Sequence, residues 1–436
     1  MKRSLIIVII LITLTGCSTG NQIAMSTYLD GQLTHTESTE YVIDSGIKKV
    51  SDNIIIEHDV SEISILAVGD LMFHRTQLVK SYNSTNDTFD FSSSFDRVAP
   101  YLLAADYTIG NLETTLAGAN GARSFRVDQR VGGYSGFPAF NSPDIIVDQL
   151  MDVGFDMVST ANNHSLDSYD EGLFRTIDVL DEKGLAHVGT YKTEEDSNDV
   201  FIAEVEGISF AFVNYTYGMN GFWPEEGHEY IINELNVYEE AKIEEMYKKT
   251  RQAKAAGVDF VIVMMHFGNE YFETENSYQR DVVDGLFDNG ADVIFGGHPH
   301  VLQPIDVRDI ERADGTTKKG VVIYSLGNFI SSQRYGDGAH KDLGVMMSLN
   351  FTKTDEFSEI SGITLVPTYT YWTDGCIGIM PVDETLSAYY SGNKTLTAYE
   401  ISRLEYAADY TVAHLTSYIE EYEVLYSDFK HYISLD

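Results

Sequence analysis

Cysteine is nearly absent from this chain: Cys17 and Cys376 are the two in 436 residues. If Cys17 is otherwise engaged, Cys376 has no partner, and the fold must rest on a buried core. A chain of this length with 43% hydrophobic residues can supply one. Positive charge is scarce as well. Against 67 Asp and Glu stand 29 Lys and Arg, a net charge of −38. Nucleic acid is thereby excluded as a partner, because binding a phosphate backbone needs a basic footprint. An anionic substrate would need a local source of positive charge, which bound metal ions provide. Most of the carboxylates need no role beyond solubility. Long apolar runs are missing after the first, so nothing beyond it is expected to cross a membrane.

That one run lies at the N-terminus. Met1-Lys2-Arg3 is cationic and precedes Leu5 to Leu14, too short for a comfortable span but the length of a signal-peptide core. Leu14-Thr-Gly-Cys17 closes the segment and resembles the bacterial lipobox, whose cysteine becomes the lipidated first residue of the mature protein. An ordinary signal peptide with a chance cysteine is the alternative. Charge, core length and cleavage motif agree better with a lipoprotein. Cleavage before Cys17 would remove Lys2 and Arg3 and take the net charge from −38 to −40. Residues 1–17 are therefore expected as a lipoprotein signal peptide, with Cys17 anchoring an outward-facing protein to a bacterial cell membrane. Residues 18–60, rich in Ser, Thr, Asn and Asp, are expected as a flexible tether.

From Ile63 to about Ser348 strand and helix patterns alternate, which argues a largely parallel α/β core. A helix is expected over Pro143 to Val153, with Ser142 as its cap, Pro143 in the first position and Asp144 against the dipole. Others are expected over Glu171 to Lys183, Val237 to Ala256 and Tyr278 to Asp288, with Gly154 and Gly184 at left-handed helix ends. Strands are expected at Ile208 to Tyr215, Val321 to Ser325 and Val345 to Asn350. From Tyr399 to Leu425, Leu404, Ala408, Leu415, Ile419 and Tyr422 recur near helical spacing and predict a packing helix. The organisation read from this is a domain over 61–375 and a helical extension over 376–436.

The chemistry gathers where hydrophobic strands run out. Ile63-Ser-Ile-Leu-Ala-Val-Gly-Asp70 ends in an aspartate, and Asp106-Tyr-Thr-Ile-Gly-Asn-Leu-Glu113 in a glutamate. Phe155 to His164 ends in Asn163-His164, Phe260-Val-Ile-Val-Met-Met-His266 in a histidine, and Ala291 to His300 in His298-Pro-His300. Open α/β sheets bind ligands at the carboxyl ends of their strands. Carboxylates, an amide oxygen and neutral imidazoles together suit a borderline or hard divalent metal, with Mn, Zn, Fe and Mg undistinguished. Singly each residue is weak: Asp70 can end a turn, and Glu113 can start a helix. His266, His298 and His300 together favour metal, the last two from one tight loop after two glycines. His187, His228 and His340 read as structural. Asp167 either orients His164 through its second ring nitrogen or caps the helix that follows. Tyr215 to Pro224, aromatics interleaved with glycine, is either a lid or a packed loop. Arg123, Arg126 and Arg130 either recognise carboxylate or phosphate or make surface salt bridges.

Six segments carry a resemblance. Val68-Gly-Asp-Leu-Met72, Gly110-Asn-Leu-Glu-Thr114, Ala161-Asn-Asn-His-Ser-Leu-Asp167, His266-Phe-Gly268, Gly297-His-Pro-His-Val-Leu-Gln303 and Ser325-Leu-Gly-Asn-Phe329 resemble the hallmarks of the poly-γ-glutamate capsule biosynthesis protein family (CapA-like). They stand in that family's order, and the likeness runs from about Ile63 to about Thr370. The family is related to calcineurin-like metallophosphoesterases. The resemblance implies an α/β sandwich of two central β-sheets flanked by helices, here with a C-terminal helix added. It implies Asp70, Glu113, Asn163, His266, His298 and His300 as ligands of one or two divalent metal ions. It makes His164 the histidine that assists phosphoryl chemistry, with Asp167 beside it. Asn111 and Asn328, within these motifs, and Arg126 and Arg130, from a Gly-rich stretch, are expected to bind substrate. One position departs from the pattern. The superfamily usually has a histidine two residues after the first aspartate, and Met72 stands there instead. One metal would then be weakly held or absent unless the next histidine, His74, replaces it.

Two functions are consistent with these features. One is a metal-dependent hydrolase, acting on a phosphoester or γ-glutamyl amide in capsule synthesis, export or anchoring. The other is a non-catalytic protein that binds polymer or a membrane synthase partner and keeps metal for structure. Expected partners are the membrane, through lipid, an anionic polymer such as poly-γ-glutamate, and capsule synthase subunits.

Overall fold

The computed structural model describes residues 24–29, 32–37, 55–121, 128–236, 238–311, 315–419 and 421–435. Cys17 and the signal segment, Arg123 and Arg126 lie outside the described residues. Contacts divide the chain into two units, Met1–Val60 and Ser61–Asp436. In the first, the segment expected as a tether contains strands Ala24–Leu29, Gln32–Glu37 and Ile55–Asp59, paired antiparallel in that order. Their Thr and Ile residues favour extended backbone, a preference that the polar composition of 18–60 conceals.

The second unit begins with β1 (Ser61–Leu71), β2 (Tyr107–Leu112), helix α1 (Ile145–Asp152), β3 (Met157–Ser159) and helix α2 (Tyr169–Lys183). The three strands are parallel neighbours in one sheet. β4 (Ile208–Thr216), helix α3 (Glu240–Ala255), β5 (Phe260–His266), helix α4 (Ser277–Asp288), β6 (Val293–Gly297) and β7 (Thr317–Leu326) follow. Their strands lie side by side in a second sheet, in the order β4, β5, β6, β7 and all parallel. The chain then returns to the first sheet through β8 (Leu343–Lys353), antiparallel to β1, and β9 (Ser358–Trp372).

Side-chain alternation explains the layering, because successive strand residues face opposite sides. Ile63, Ile65 and Ala67 of β1 join Phe210 and Phe212 of β4 and Phe260, Ile262 and Met264 of β5 in one buried cluster between the sheets. The intervening Leu66 and Val68 pack with Ile146, Val147 and Leu150 of α1 and Val179 and Leu180 of α2. Val261, Val263 and Met265 pack with Met246 of α3 and Val282, Val283 and Leu286 of α4. The result is the expected sandwich of two sheets with helices on both outer faces. Each fully buried Phe or Ile contributes about 1.5–3 kcal/mol to holding it.

Two expectations need correction. Helix α1 starts at Ile145 with Asp144 as its cap position, and Ser142 does not cap it. The Ser142 hydroxyl bonds to the Thr114 hydroxyl at 2.9 Å, and the Asp144 carboxylate pairs with Arg175 of α2 at 2.7 and 2.8 Å. Tertiary partners outcompete the local cap. The segment 376–436 is mixed in structure and belongs to the same compact unit. Strand Ile377–Pro381 and the hairpin Val424–Ser427 with Lys430–Ser434 extend the first sheet from the edge of β9. Between them lie helix Val382–Tyr390 and helix α5 (Ala398–Leu415). A reciprocal box starts α5, in which Glu400 N–H donates to Thr397 Oγ1 and Thr397 N–H to Glu400 Oε2. The helix stops ten residues short of Leu425, and Ile419 and Tyr422 pack on the inter-sheet core from a turn. Among the described residues, no helix is long and apolar enough to cross a membrane.

Candidate metal centre

Strand register brings the polar ends together. Asp70 lies opposite Asn111 across β1 and β2, Asn111 opposite Ser159 across β2 and β3, and His266 opposite Gly297 across β5 and β6. Close backbone approach locks the first of these ends. Asp70 N–H donates to Gly327 O at 3.0 Å, and a Cβ on Gly69 would lie 1.8 Å from that oxygen, so only glycine fits there. The His298-Pro-His300 turn costs more. His298 and His300 hold φ of 97° and 58°, left-handed values that disfavour a side chain by about 1–3 kcal/mol each. Tyr271 N–H fastens this turn by donating to Pro299 O at 2.8 Å.

All six residues expected as ligands meet here, each nearly or fully buried: Asp70, Glu113, Asn163, His266, His298 and His300. Donor atoms of Asp70, Glu113 and His300 lie within 4.8 Å of one another. His300 Nδ1 donates to Asp70 Oδ2 at 3.1 Å, which turns its Nε2 lone pair toward Glu113 Oε1, 4.0 Å away. His266 Nε2 is 3.7 Å from the same oxygen and 3.0 Å from Asn163 Oδ1. His298 N–H reaches Asp70 Oδ2 at 3.4 Å, while its ring Nδ1 is buried without a hydrogen-bond partner. Glu113 Oε1 is likewise buried and unpartnered. Donors about 2.1 Å from a tetrahedral cation stand roughly 3.4 Å apart, so spacings of 3.0–4.0 Å with orphaned acceptors fit a divalent ion.

Electrostatics point the same way. Complete burial, and then the charge of Asp70, push the Glu113 carboxyl well above the ordinary carboxylate range. Burial first, and neighbouring histidines second, push His266 and His298 well below the usual imidazole value. At neutral pH these rings are uncharged and keep a lone pair to offer.

Beside this cluster, His164 Nδ1 donates to Asp167 Oδ2 at 2.7 Å, and the same oxygen accepts Phe140 N–H at 2.6 Å. Of the two roles open to Asp167, the contact with His164 is the one made; Ser168 occupies the cap position of α2. The bond fixes the His164 tautomer, so its Nε2 lone pair faces Glu113 Oε1 at 3.9 Å. The Phe140 ring meets His164 edge-on, with centroids 4.7 Å apart.

Met72 is buried and offers no ligand of the expected kind. His74 lies near the cluster, its pKa pushed down to about 3 by burial and then by His300 and His164. Its Nδ1 accepts Ser332 N–H at 3.4 Å.

The expected substrate residues are placed differently. Arg130 is 77% exposed and pairs with Asp128 at 2.8 Å, so its guanidinium serves a surface turn. Asn111 is buried among the ligands, not presented to solvent. Asn328 is also buried and donates to His300 O at 3.3 Å, with its Oδ1 unpartnered. The segment Tyr215 to Pro224 touches the cluster: the Tyr217 ring lies 4.4 Å from that of His298, and Asn163 Nδ2 donates to Asn220 Oδ1 at 3.3 Å. Phe222 is half-buried there, whereas Trp223 is 74% exposed. His187, His228 and His340 are engaged elsewhere, with Asp181, with Asp170, and between the rings of Tyr335 and Tyr406. Cys376 is a free thiol.

Sequence reasoning missed Tyr217 as a ring against His298, Asn162 as a network member, and Glu270, whose charge acts on Glu113, Tyr217 and Tyr271. A signal for Glu270 existed in its place four residues after His266, on the loop that leaves β5.

Carboxylates, an amide oxygen and imidazoles converging at strand ends of a two-sheet α/β sandwich define a class, that of proteins with a candidate divalent-metal centre. Comparison makes the assignment narrower. The chain belongs to the family described as bacterial capsule synthesis protein PGA_cap, whose model matches residues 64–333. It is similar to the capsule biosynthesis protein CapA of Bacillus anthracis, 27% identical over 285 residues, covering 64% of this chain and 62% of that protein. It is similar also to the PGA biosynthesis protein CapA of Bacillus subtilis (strain 168), 28% identical over 290 residues, 66% of each. The match thus spans less than two thirds of either relative's own length. Among solved structures, TT1561 of Thermus thermophilus aligns at 9% identity with a TM-score of 0.32, over 66% of this chain and 94% of that one.

Proposed function

We propose that the chain works in making, exporting or anchoring a capsule polymer of the poly-γ-glutamate kind, as a lipid-anchored protein on the outer face of a bacterial membrane. Its metal centre is hydrolytic in this reading, directed at a phosphoester or a γ-glutamyl amide. The observation that supports hydrolysis is Glu113 Oε1, a buried acceptor without a partner, faced at 3.7–4.0 Å by Nε2 atoms of His164, His266 and His300. A divalent cation, when bound, supplies the charge that lowers the pKa of a water and neutralises the attacked group. Asp70, Glu113, Asn163, His266, His298 and His300 are the residues to hold it. His164 moves the proton: with Nδ1–H held by Asp167, its Nε2 can receive a proton and pass it to a leaving group.

The accessory reading has one observation in its favour. Met72 fills the position of a superfamily ligand, and His74 Nδ1 is engaged with Ser332 N–H, so one cation site would lack a donor. Metal content of the purified protein, followed by assays on chromogenic phosphodiesters and γ-linked glutamate polymer, separates the two. Metal with turnover on either substrate supports the hydrolase, and metal without turnover leaves the accessory role. The anchor has its own test. Cys17→Ala should release the protein from the membrane fraction, and unchanged retention with an intact N-terminal segment by mass spectrometry would refute lipidation.

A further inference from the structure

A chain of amides runs under the candidate centre, and its orientation can be read without ambiguity. Asn162 Nδ2 lies 2.9 Å from Leu112 O, a backbone carbonyl that can only accept, so that atom is the NH2. Its other end agrees, since Asn162 Oδ1 accepts His164 N–H at 3.1 Å. The same NH2 then donates at 3.1 Å to Asn111, which must present its oxygen, and the Ser159 hydroxyl donates to that oxygen at 3.2 Å. The NH2 of Asn111 is thereby turned toward the centre. It donates to Asp70 Oδ1 at 2.9 Å and to Glu113 Oε2 at 3.4 Å, and it lies 3.3 Å from His266 Nδ1.

Each carboxylate is thus engaged through one oxygen by the same amide. The opposite oxygens lie on the histidine side: Asp70 Oδ2 accepts from His300 Nδ1 and the His298 backbone N–H, and Glu113 Oε1 faces the imidazoles of His164, His266 and His300. We infer that Asn111 is a positioning residue, whose NH2 holds the inner oxygens of Asp70 and Glu113 so that each offers a single outer oxygen to a divalent cation. The amide also lies between two fully buried carboxylates, where a donor lowers their mutual repulsion before any cation arrives. Partners that orient ligands in this way typically alter metal affinity by about 10–100-fold. The inference rests on the metal-centre reading and deepens it.

The test is titration of the metal-free protein with Mn²⁺ and with Zn²⁺, alongside thermal melts with and without metal, for wild type, Asn111→Ala, Asn111→Asp and Ser159→Ala. Asn111→Ala should weaken binding about 10–100-fold, and Ser159→Ala should weaken it less, in the same direction. Asn111→Asp keeps the shape but sets a third carboxylate against Asp70 and Glu113. It should melt lower than wild type without metal and recover more of the difference when metal is added. Equal affinity in wild type and Asn111→Ala would overturn the inference, as would melting losses that are the same with and without metal, the mark of a merely structural amide. Absence of binding by wild type itself would instead sink the metal-centre reading. Should Asn111→Ala fail to fold, Ser159→Ala and the isosteric Asn111→Asp decide the matter.

Discussion

On the side of β1, β2 and β3 the candidate centre is built of oxygen donors; on the side of β5 and β6 it is built of nitrogen donors. The oxygen side is knitted by hydrogen bonds. Asp70, Glu113, Asn111, Asn162 and Ser159 form one network in which nearly every polar atom has a partner. The nitrogen side leans more on backbone. His298 and His300 sit in left-handed conformations pinned by Tyr271 N–H, and the His298 Nδ1 atom has no hydrogen-bond partner at all. Ring packing by Tyr217 adds to this, and single side-chain bonds, His300 Nδ1 to Asp70 Oδ2 and His266 Nε2 to Asn163 Oδ1, tie this side to the other. The difference teaches where function stores its cost. Changes on the oxygen side should disturb neighbours through shared hydrogen bonds, whereas changes on the nitrogen side should remove ligands and leave the metal-free fold intact or improved.

The exception offers the largest effect. His164 is a nitrogen donor on the oxygen side, and its proton-transfer role predicts that His164→Ala keeps metal content but loses turnover by about 10²–10⁴-fold. Metal analysis with single-turnover assays checks it, and a parallel loss of metal would make His164 an ordinary member of the cluster. Asn163→Ala, one residue earlier, should do the reverse and lower metal occupancy.

Glu113 is where the two sides meet, so Glu113→Gln should be the next largest. Metal affinity should fall by roughly 100-fold or more, since losing a partner that merely orients a ligand already reaches that range. The metal-free protein should melt higher at pH 7, because burial and Asp70 oppose the carboxylate. In wild type, affinity should rise with pH as the raised Glu113 carboxyl gives up its proton. The variant should lack that dependence in Mn²⁺ titrations.

A smaller effect sharpens the account of the nitrogen side. His298→Gly and His298→Ala both remove an imidazole, yet only glycine relieves the φ of 97°. The glycine variant should be the more stable without metal by about 1 kcal/mol, read by denaturant melts. Equal stability would show that the turn is unstrained.

A separate effect concerns acid. His74 is neutral in the fold down to about pH 3 but protonates near pH 6.5 when unfolded. Its contribution to stability is therefore complete above pH 6.5 and is lost progressively as pH falls toward 3. His74→Gln should flatten that part of the pH–stability curve of metal-free protein.

Much of this was legible beforehand, for identifiable reasons. The strand ends at Asp70, Glu113, His266 and His298 could be read because apolar runs stop at polar residues, and the alternation of Ile63, Ile65 and Ala67 against Leu66 and Val68 marks a strand covered on both faces. What could not be read were preferences overridden by distant partners. Ser142 looks like a helix cap until Thr114 takes its hydroxyl, and Arg130 looks like an anion binder until Asp128 takes its guanidinium. Asn111 shows the same limit. Its motif marked it as functional, but the direction of its amide depends on Ser159 and Asn162, 48 and 51 residues away.

The sequence by itself determined the α/β class, the strand ends that carry chemistry and the kinds of donor they bring, because hydrophobic periodicity and side-chain type are local properties. Tertiary structure alone decided which atoms of those donors remain free. Glu113 Oε1 is unpartnered because three imidazoles from other loops face it and the Asn111 amide has already engaged its twin. Such an atom is defined by what surrounds it in space, and no spacing along the chain encodes that.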